Sequence, residues 1–200
     1  MKKPPITLNP TEETNRRAAI IRGAGRLFRD KGYAATTIRD IAGAVGMRSG
    51  SPFYHFKTKH DMLQAVVQEG MEAMHLAVEN AANAGLPLRA KFEAMVGAHL
   101  QALLDEEGRD VAATLLHESR HLDPTALREV VARRDRYELM WRQVLVELKQ
   151  AGLIHDDSPA IRLFLLGAMN WTTQWYKNDR ELSPQQLARQ LTAFLLHEAP

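Results

Sequence analysis

Residues 36–61, TTIRDIAGAVGMRSGSPFYHFKTKHD, constrain the fold of this 200-residue chain more than any other stretch. Thr37 is placed to N-cap a helix on which Ile38, Ile41, Ala42 and Val45 recur at the spacing of one face. Ala42 is small where a second helix must cross, and Gly46 supplies the positive φ of a tight interhelical turn. A second helix is predicted from Arg48 or Ser49 to about His55. Pro52 falls in its first turn, where a missing N–H costs no hydrogen bond. Its outer face carries Arg48, Ser49, Ser51, Tyr54 and His55, side chains that donate to phosphates or reach base edges in a major groove. Thr58-Lys59 then opens a third helix with a lysine at its positive end, the makings of a phosphate clamp.

The charge distribution agrees. Residues 1–60 hold twelve Lys/Arg against four Asp/Glu, and the remaining 140 hold fourteen against twenty. The cationic surface therefore coincides with the helix-turn-helix, as binding to double-stranded DNA requires. Cysteine is absent, which excludes disulfides and thiol chemistry and suits a reducing cytoplasm. No apolar run approaches a membrane span, and the N-terminal MKKPPITLNP lacks the apolar region of a signal peptide. The expected location is cytoplasmic.

Helical periodicity continues to the end of the chain, and no segment alternates with the period of two that a strand needs. The expectation is an all-α protein of nine helices, at about 14–31, 37–45, 48–55, 58–80, 88–106, 110–121, 124–151, 158–178 and 183–197. Gly32 ends the first, Glu107-Gly108 breaks the fifth, and Asp123-Pro124 stops the sixth. Arg16 and Arg17, near the start of the first helix, are candidates to touch the DNA backbone. The expected organisation is a disordered arm over 1–13, a DNA-binding domain over 14–60, and an effector-binding and dimerisation domain over 61–200.

The runs GYAATTIRDIAGAVGM and GSPFYHFKTKHDML closely resemble the DNA-binding domain of TetR-type transcriptional repressors. Gly32, Thr36, Thr37, Ile38, Ile41, Ala42, Gly46, Gly50, Ser51, His55, Phe56, Lys59 and Leu63 fit that family's pattern. Phe53 stands where a tyrosine is usual and Pro52 where an aliphatic is usual, so a phenolic phosphate contact is missing. The resemblance covers residues 14–65 and adds Thr36, Thr37 and Phe53 to the candidate DNA-contacting set. It implies a homodimeric, non-enzymatic repressor on a palindromic operator, controlled by a small-molecule effector and needing no cofactor. It further implies a four-helix dimer interface from the last two helices, where Leu163, Leu166, Gly167, Leu187, Leu191 and Phe194 are the candidates. Gly167 either permits close approach there or is simply tolerated.

Two constellations lie behind this domain. His117-Glu118-Ser119-Arg120-His121 is a literal H-E-x-x-H, which on a helix would set two imidazoles and a glutamate around zinc. Pro124 and Leu127 occupy the places of the extended G-x-x-H continuation, and Asp123-Pro124 ends the helix at once. No metal site is expected, and a zinc hydrolase is the remote alternative. The other constellation is aromatic: Tyr137, Trp141, Trp171 and Trp175, with the amides Asn170 and Gln174 on an apolar helix. In a TetR-like body these would line an effector pocket, with His117, Arg120 and Arg134 adding polar or cationic groups. Core packing is the default for any single tryptophan, and a solvated face for the arginines. HESRHLD, RRDRYE and NWTTQWY resemble TetR-type regulators of fatty-acid, aromatic-acid or steroid catabolism, which implies an acyl-CoA thioester effector. A hydrophobic drug, as in efflux regulators, is the rival effector.

Overall fold

The computed structural model of the chain describes residues 10–177 and 182–196. Among these residues there are eight α-helices: α1 (Pro10–Lys31), α2 (Ile38–Ala44), α3 (Lys59–Ala82), α4 (Leu88–Leu104), α5 (Glu106–Glu118), α6 (Pro124–Gln150), α7 (Pro159–Trp175) and α8 (Pro184–Leu195). Short 3-10 turns lie at Ser51–Tyr54 and Ser119–His121. No strand occurs among the described residues, and no described helix is long and apolar enough to cross a membrane.

The count is eight because the helix expected over 48–55 is a single 3-10 turn. Met47 N–H is tied back to the Ala42 carbonyl at 2.8 Å, and buried Phe56 anchors the other end. Only a few residues are left between the anchors. Gly50 and two serines favour a helix there weakly, and Pro52 lacks a donor. The His55 and Phe56 N–H groups both close on the Pro52 carbonyl.

Helix ends follow local chemistry. Helix α1 begins at Pro10 rather than Thr14, since proline suits the first helical position and Glu12 and Glu13 complement the positive end. Residues 10–13 are thus helical, and the rest of the expected arm lies outside the described residues. Thr37 with Asp40, Thr58 with Asp61, and Ser183 with Gln186 form capping boxes. The break after α4 falls at Asp105, not at Glu107-Gly108, because the Asp105 side chain accepts from Gly108 N–H at 2.6 Å and starts α5. A Cβ at Gly108 would collide with the Ala102 carbonyl, so glycine is what lets α5 fold back on α4. Helix α7 stops at Trp175; Asn178 and His197, the expected ends of the last two helices, lie outside the described residues.

Two apolar cores result. The first joins Ile20, Phe28, Ile41 and Phe56 to Met62, Leu63 and Val66 of α3, and Leu122 and Ala126 close it from α6 and the turn before it. The second gathers Val78, Phe92, Leu100, Trp141, Leu145 and Met169. Helix α3 serves both cores, so the reading head and the helical body share a rigid rod. Val111 and Leu115 of α5 also pack on the first core.

Candidate nucleic-acid interface and ligand cavity

The helix-turn-helix presents a ridge built on a buried base. Ala42, Pro52 and Phe56 are buried beneath it, while Arg48, Ser49, Phe53 and Tyr54 are exposed, Tyr54 at 89%. Ser51 and His55 are half-buried. Arg16 and the Thr37 position are exposed beside them. Thr37 also works as a cap: its N–H and hydroxyl donate to Asp40 at 2.9 and 2.8 Å, holding that carboxyl below its ordinary range.

Two expected DNA contacts are turned inward. Thr36 is buried, with its hydroxyl donating to the Gly32 and Leu27 carbonyls at 2.8 and 3.2 Å. Lys59 points back into its own domain. Its ammonium donates to the carbonyls of Tyr33 and Thr36 at 2.6 and 2.7 Å and lies 4.2 Å from the Tyr33 ring centroid. The turn between α1 and α2 needed those donors, and the nearest cation supplied them. Several α1 arginines are also committed. Arg22 and Arg26 face Glu107 and Glu106 at 3.6 and 3.8 Å, Arg29 contacts Asp110, and Arg17 meets Glu69 at 2.6 Å. These pairs latch α1 to α5 and α3.

The Arg29–Asp110 contact is not symmetric. Hydrogen bonding to Asp30 is the leading cause that holds Arg29 charged, with Asp110 a lesser one. At Asp110 burial outweighs Arg29 and pushes the carboxyl up to about 6.

The H-E-x-x-H residues do not assemble a metal centre. Helix α5 ends at Glu118, and His121 sits on a 3-10 turn, so the helical i, i+4 geometry is lost. His117 is exposed, whereas Glu118 is buried and lies 3.5 Å from His121. The His121 ring stacks on Tyr33 at 4.9 Å. Among the described residues no group of three His, Asp or Glu is placed to hold a metal ion. The motif instead braces the α1–α2 turn.

The residues expected to line an effector pocket are dispersed. Trp141 is fully buried in the second core, edge-on to Phe92. Tyr137 shares a 2.5 Å hydrogen bond with His99 Nδ1, and burial pushes its phenol up. Burial also pushes His99 down to about 4, Asn170 offsetting this in part. Among the described residues neither His99 Nε2 nor Trp141 Nε1 makes a well-aligned hydrogen bond, although Asn170 approaches the His99 ring. Arg120 is exposed, and so is Arg134, which reaches Asp135 and Glu138 at 3.2 and 3.5 Å. Trp171, Gln174 and Trp175 face outward from α7, while Asn170, exposed on the same helix, reaches the buried His99 ring. Hydrophobic periodicity alone did not say which face of α7 meets the body.

Those outward residues extend another surface. Trp171, Phe164 and Phe194 are 67%, 72% and 78% exposed, with Leu163 also open, and together they give α7 and α8 a broad apolar face. Gly167 on this face has nothing within 4 Å of the position a Cβ would take. Leu187 and Leu191 pack on the core instead, and Leu166 is buried. An interface through this face would draw on α7 more than on those leucines.

A cavity of about 560 Å³ opens elsewhere, between α1, α3, α4 and α5. None of the nine residues expected to bind an effector lines it. Its walls are Ile21, Val66, Met74 and Val111 with alanines such as Ala73 and Ala102. The run of alanine and glycine on facing helices was its only sequence signal, one indistinguishable from close packing.

Residues 20–66 match the model of the bacterial regulatory proteins of the tetR family, and residues 85–199 match that of the tetracyclin repressor-like C-terminal domain. The HTH-type transcriptional repressor KstR2 of Mycolicibacterium smegmatis is 27% identical, over 94% of this chain and 92% of its own. The structure of AibR in complex with isovaleryl coenzyme A and operator DNA is 25% identical, with TM-score 0.78, over 92% of this chain and all of that one. The superantigen pfit shares the fold at 35% identity and TM-score 0.76, over 90% of this chain and 88% of its own.

Proposed function

Because this chain belongs to the tetR family of bacterial regulatory proteins, whose members are helix-turn-helix transcriptional regulators, we propose that it is a dimeric repressor released from a two-fold operator by a small-molecule effector. One observation carries the DNA-binding half. The ridge Arg48–His55 stands clear of the protein on a buried base, with donors and aromatics on its outer side. Arg48, Ser49, Ser51, Phe53, Tyr54 and His55 enter the major groove, and Arg16 and the Thr37 backbone meet phosphates. The reading head extends from α1 to about residue 60, and α3 carries its orientation to the body. Two copies join through α7 and α8, where Leu163, Phe164, Trp171 and Phe194 are exposed. The two heads then read half-sites about one helical turn apart or a multiple of it.

For the effector, an acyl-CoA thioester is the reading that the similarity to AibR and KstR2 supports. The acyl chain would enter the body between α4, α6 and α7, where His99 Nε2 and Trp141 Nε1 are buried without a well-aligned hydrogen bond among the described residues. Derepression needs only that the effector prefer the conformation that does not bind DNA.

The test is a selection from random duplexes, then fluorescence anisotropy on the recovered sequence with isovaleryl-CoA, coenzyme A or isovalerate added. A two-fold sequence released by the thioester alone supports the whole reading. Recovery of no preferred sequence would overturn the repressor, and a complex indifferent to every thioester tried would overturn the effector class.

A further inference from the structure

The cavity between α1, α3, α4 and α5 has a character that an acyl-CoA does not match. Its volume, about 560 Å³, lies within the range of small-molecule sites, and its walls are mainly aliphatic. The ionisable groups lining it are four carboxylates, Glu69, Asp105, Glu107 and Asp110, against one guanidinium, Arg22. Three arginines touch these carboxylates: Arg17 on Glu69, Arg22 on Glu107 and Arg29 on Asp110. Among the described residues the Asp105 side chain accepts only from backbone, as the cap of α5. The lining and its direct partners among the described residues are thus one positive charge short of neutrality. Asp110 is buried in the wall, and that burial holds its carboxyl up despite the Arg29 contact. An acidic recess with apolar walls concentrates field on a cation and rejects the polyanionic part of a coenzyme A.

We propose that this cavity is a small-molecule site, separate from the α4–α6–α7 region proposed above for the acyl chain, and that it takes a compact apolar monocation. The apolar groups of the ligand lie against Ile21, Val66, Met74 and Val111, and its charge lies towards Asp105 and Glu69. Helix α1 forms one wall and α3, α4 and α5 the others, so a bound cation touches both the reading head and the body. Occupancy therefore fixes the angle between them. This consequence for DNA rests on the repressor reading; the binding itself does not.

Calorimetry on the full chain with an isosteric pair, tetraphenylphosphonium and tetraphenylborate, separates charge from shape and uses no DNA. The expected result is one phosphonium per subunit, bound at least tenfold more tightly than the borate. Ala73→Leu with Ala102→Leu fills the cavity and lowers that affinity at least tenfold. Should the filled variant fail to fold, Asp105→Asn, which keeps the α5 cap, and Glu69→Gln narrow the preference for the cation instead. Failure of the phosphonium to bind, equal or tighter binding of the borate, or folded variants that bind and discriminate as before would overturn the assignment.

Discussion

Lys59 holds Tyr33 by two means at once: its ammonium donates to the Tyr33 carbonyl at 2.6 Å and sits 4.2 Å from the centre of the Tyr33 ring. The same ammonium reaches the Thr36 carbonyl at 2.7 Å, and His121 stacks on the tyrosine at 4.9 Å. The α1–α2 turn is therefore pinned by the first residue of α3 and braced by the 3-10 turn that follows α5. A lysine placed by its position as a phosphate clamp acts inside the domain, setting the angle of the reading head.

Lys59→Met should then act on stability before it acts on DNA. Two carbonyls lose a charged donor, a cost of about 1–3 kcal/mol, which for a chain of this size lowers Tm by several degrees. The slope of log affinity against log salt should change by well under the value of about 0.9 expected for a phosphate contact. A full-unit change in slope with unaltered Tm would return Lys59 to the interface.

Arg48→Ala and Tyr54→Ala should do the reverse. Both side chains are exposed, so thermal unfolding should be unchanged. Each is expected to weaken DNA binding by about tenfold, the worth of one good contact. Anisotropy on the selected duplex reads this directly.

His99 and Asp110 should oppose each other in acid. His99 is held at about 4 against its ordinary 6.5, so between those values the unfolded chain binds a proton the folded one refuses, and stability falls as pH drops. The full contribution is about 3 kcal/mol. Asp110 is raised to about 6 from 3.8, so the folded chain keeps a proton the unfolded one releases, and stability falls as pH rises through that window. His99→Gln should leave a protein that gains stability from pH 6 to 4. Asp110→Asn should steepen the loss over the same range. Denaturant titrations at pH 4.5, 5.5 and 7 distinguish the slopes.

Trp171 and Trp141 should give opposite phenotypes. Trp171→Glu with Phe194→Glu puts charge on the exposed face of α7 and α8, and sedimentation should show a folded monomer. Trp141→Ala empties the centre of the body and should cost about 3–5 kcal/mol without first touching the oligomer.

Legibility in the sequence followed the range of the physics involved. Thr37, Thr58 and Ser183 act as caps because each bonds to a residue three positions on, so the signal and its cause lie in one window. Gly46 is left-handed, with φ 66°, at the turn predicted for it. The sequence predicts a helix where the 3-10 turn at Ser51–Tyr54 forms, because the length of that turn is set by Met47 and Phe56 being anchored to buried structure.

The chain by itself determined that it is helical throughout, the caps at Thr37, Thr58 and Ser183, and the segment that carries the cationic face. Only tertiary structure decided which side of each helix met another. It buried Trp141 and exposed Trp171, though both are tryptophans on apolar helical faces. It drew Lys59 to carbonyls 26 and 23 residues away, latched Arg22 and Arg26 to α5, and left a cavity where alanines faced one another. Capping is directional and short-ranged, so it can be read locally. Burial is non-directional and ion pairing takes whatever charge arrives, so both wait on the packing of the whole chain.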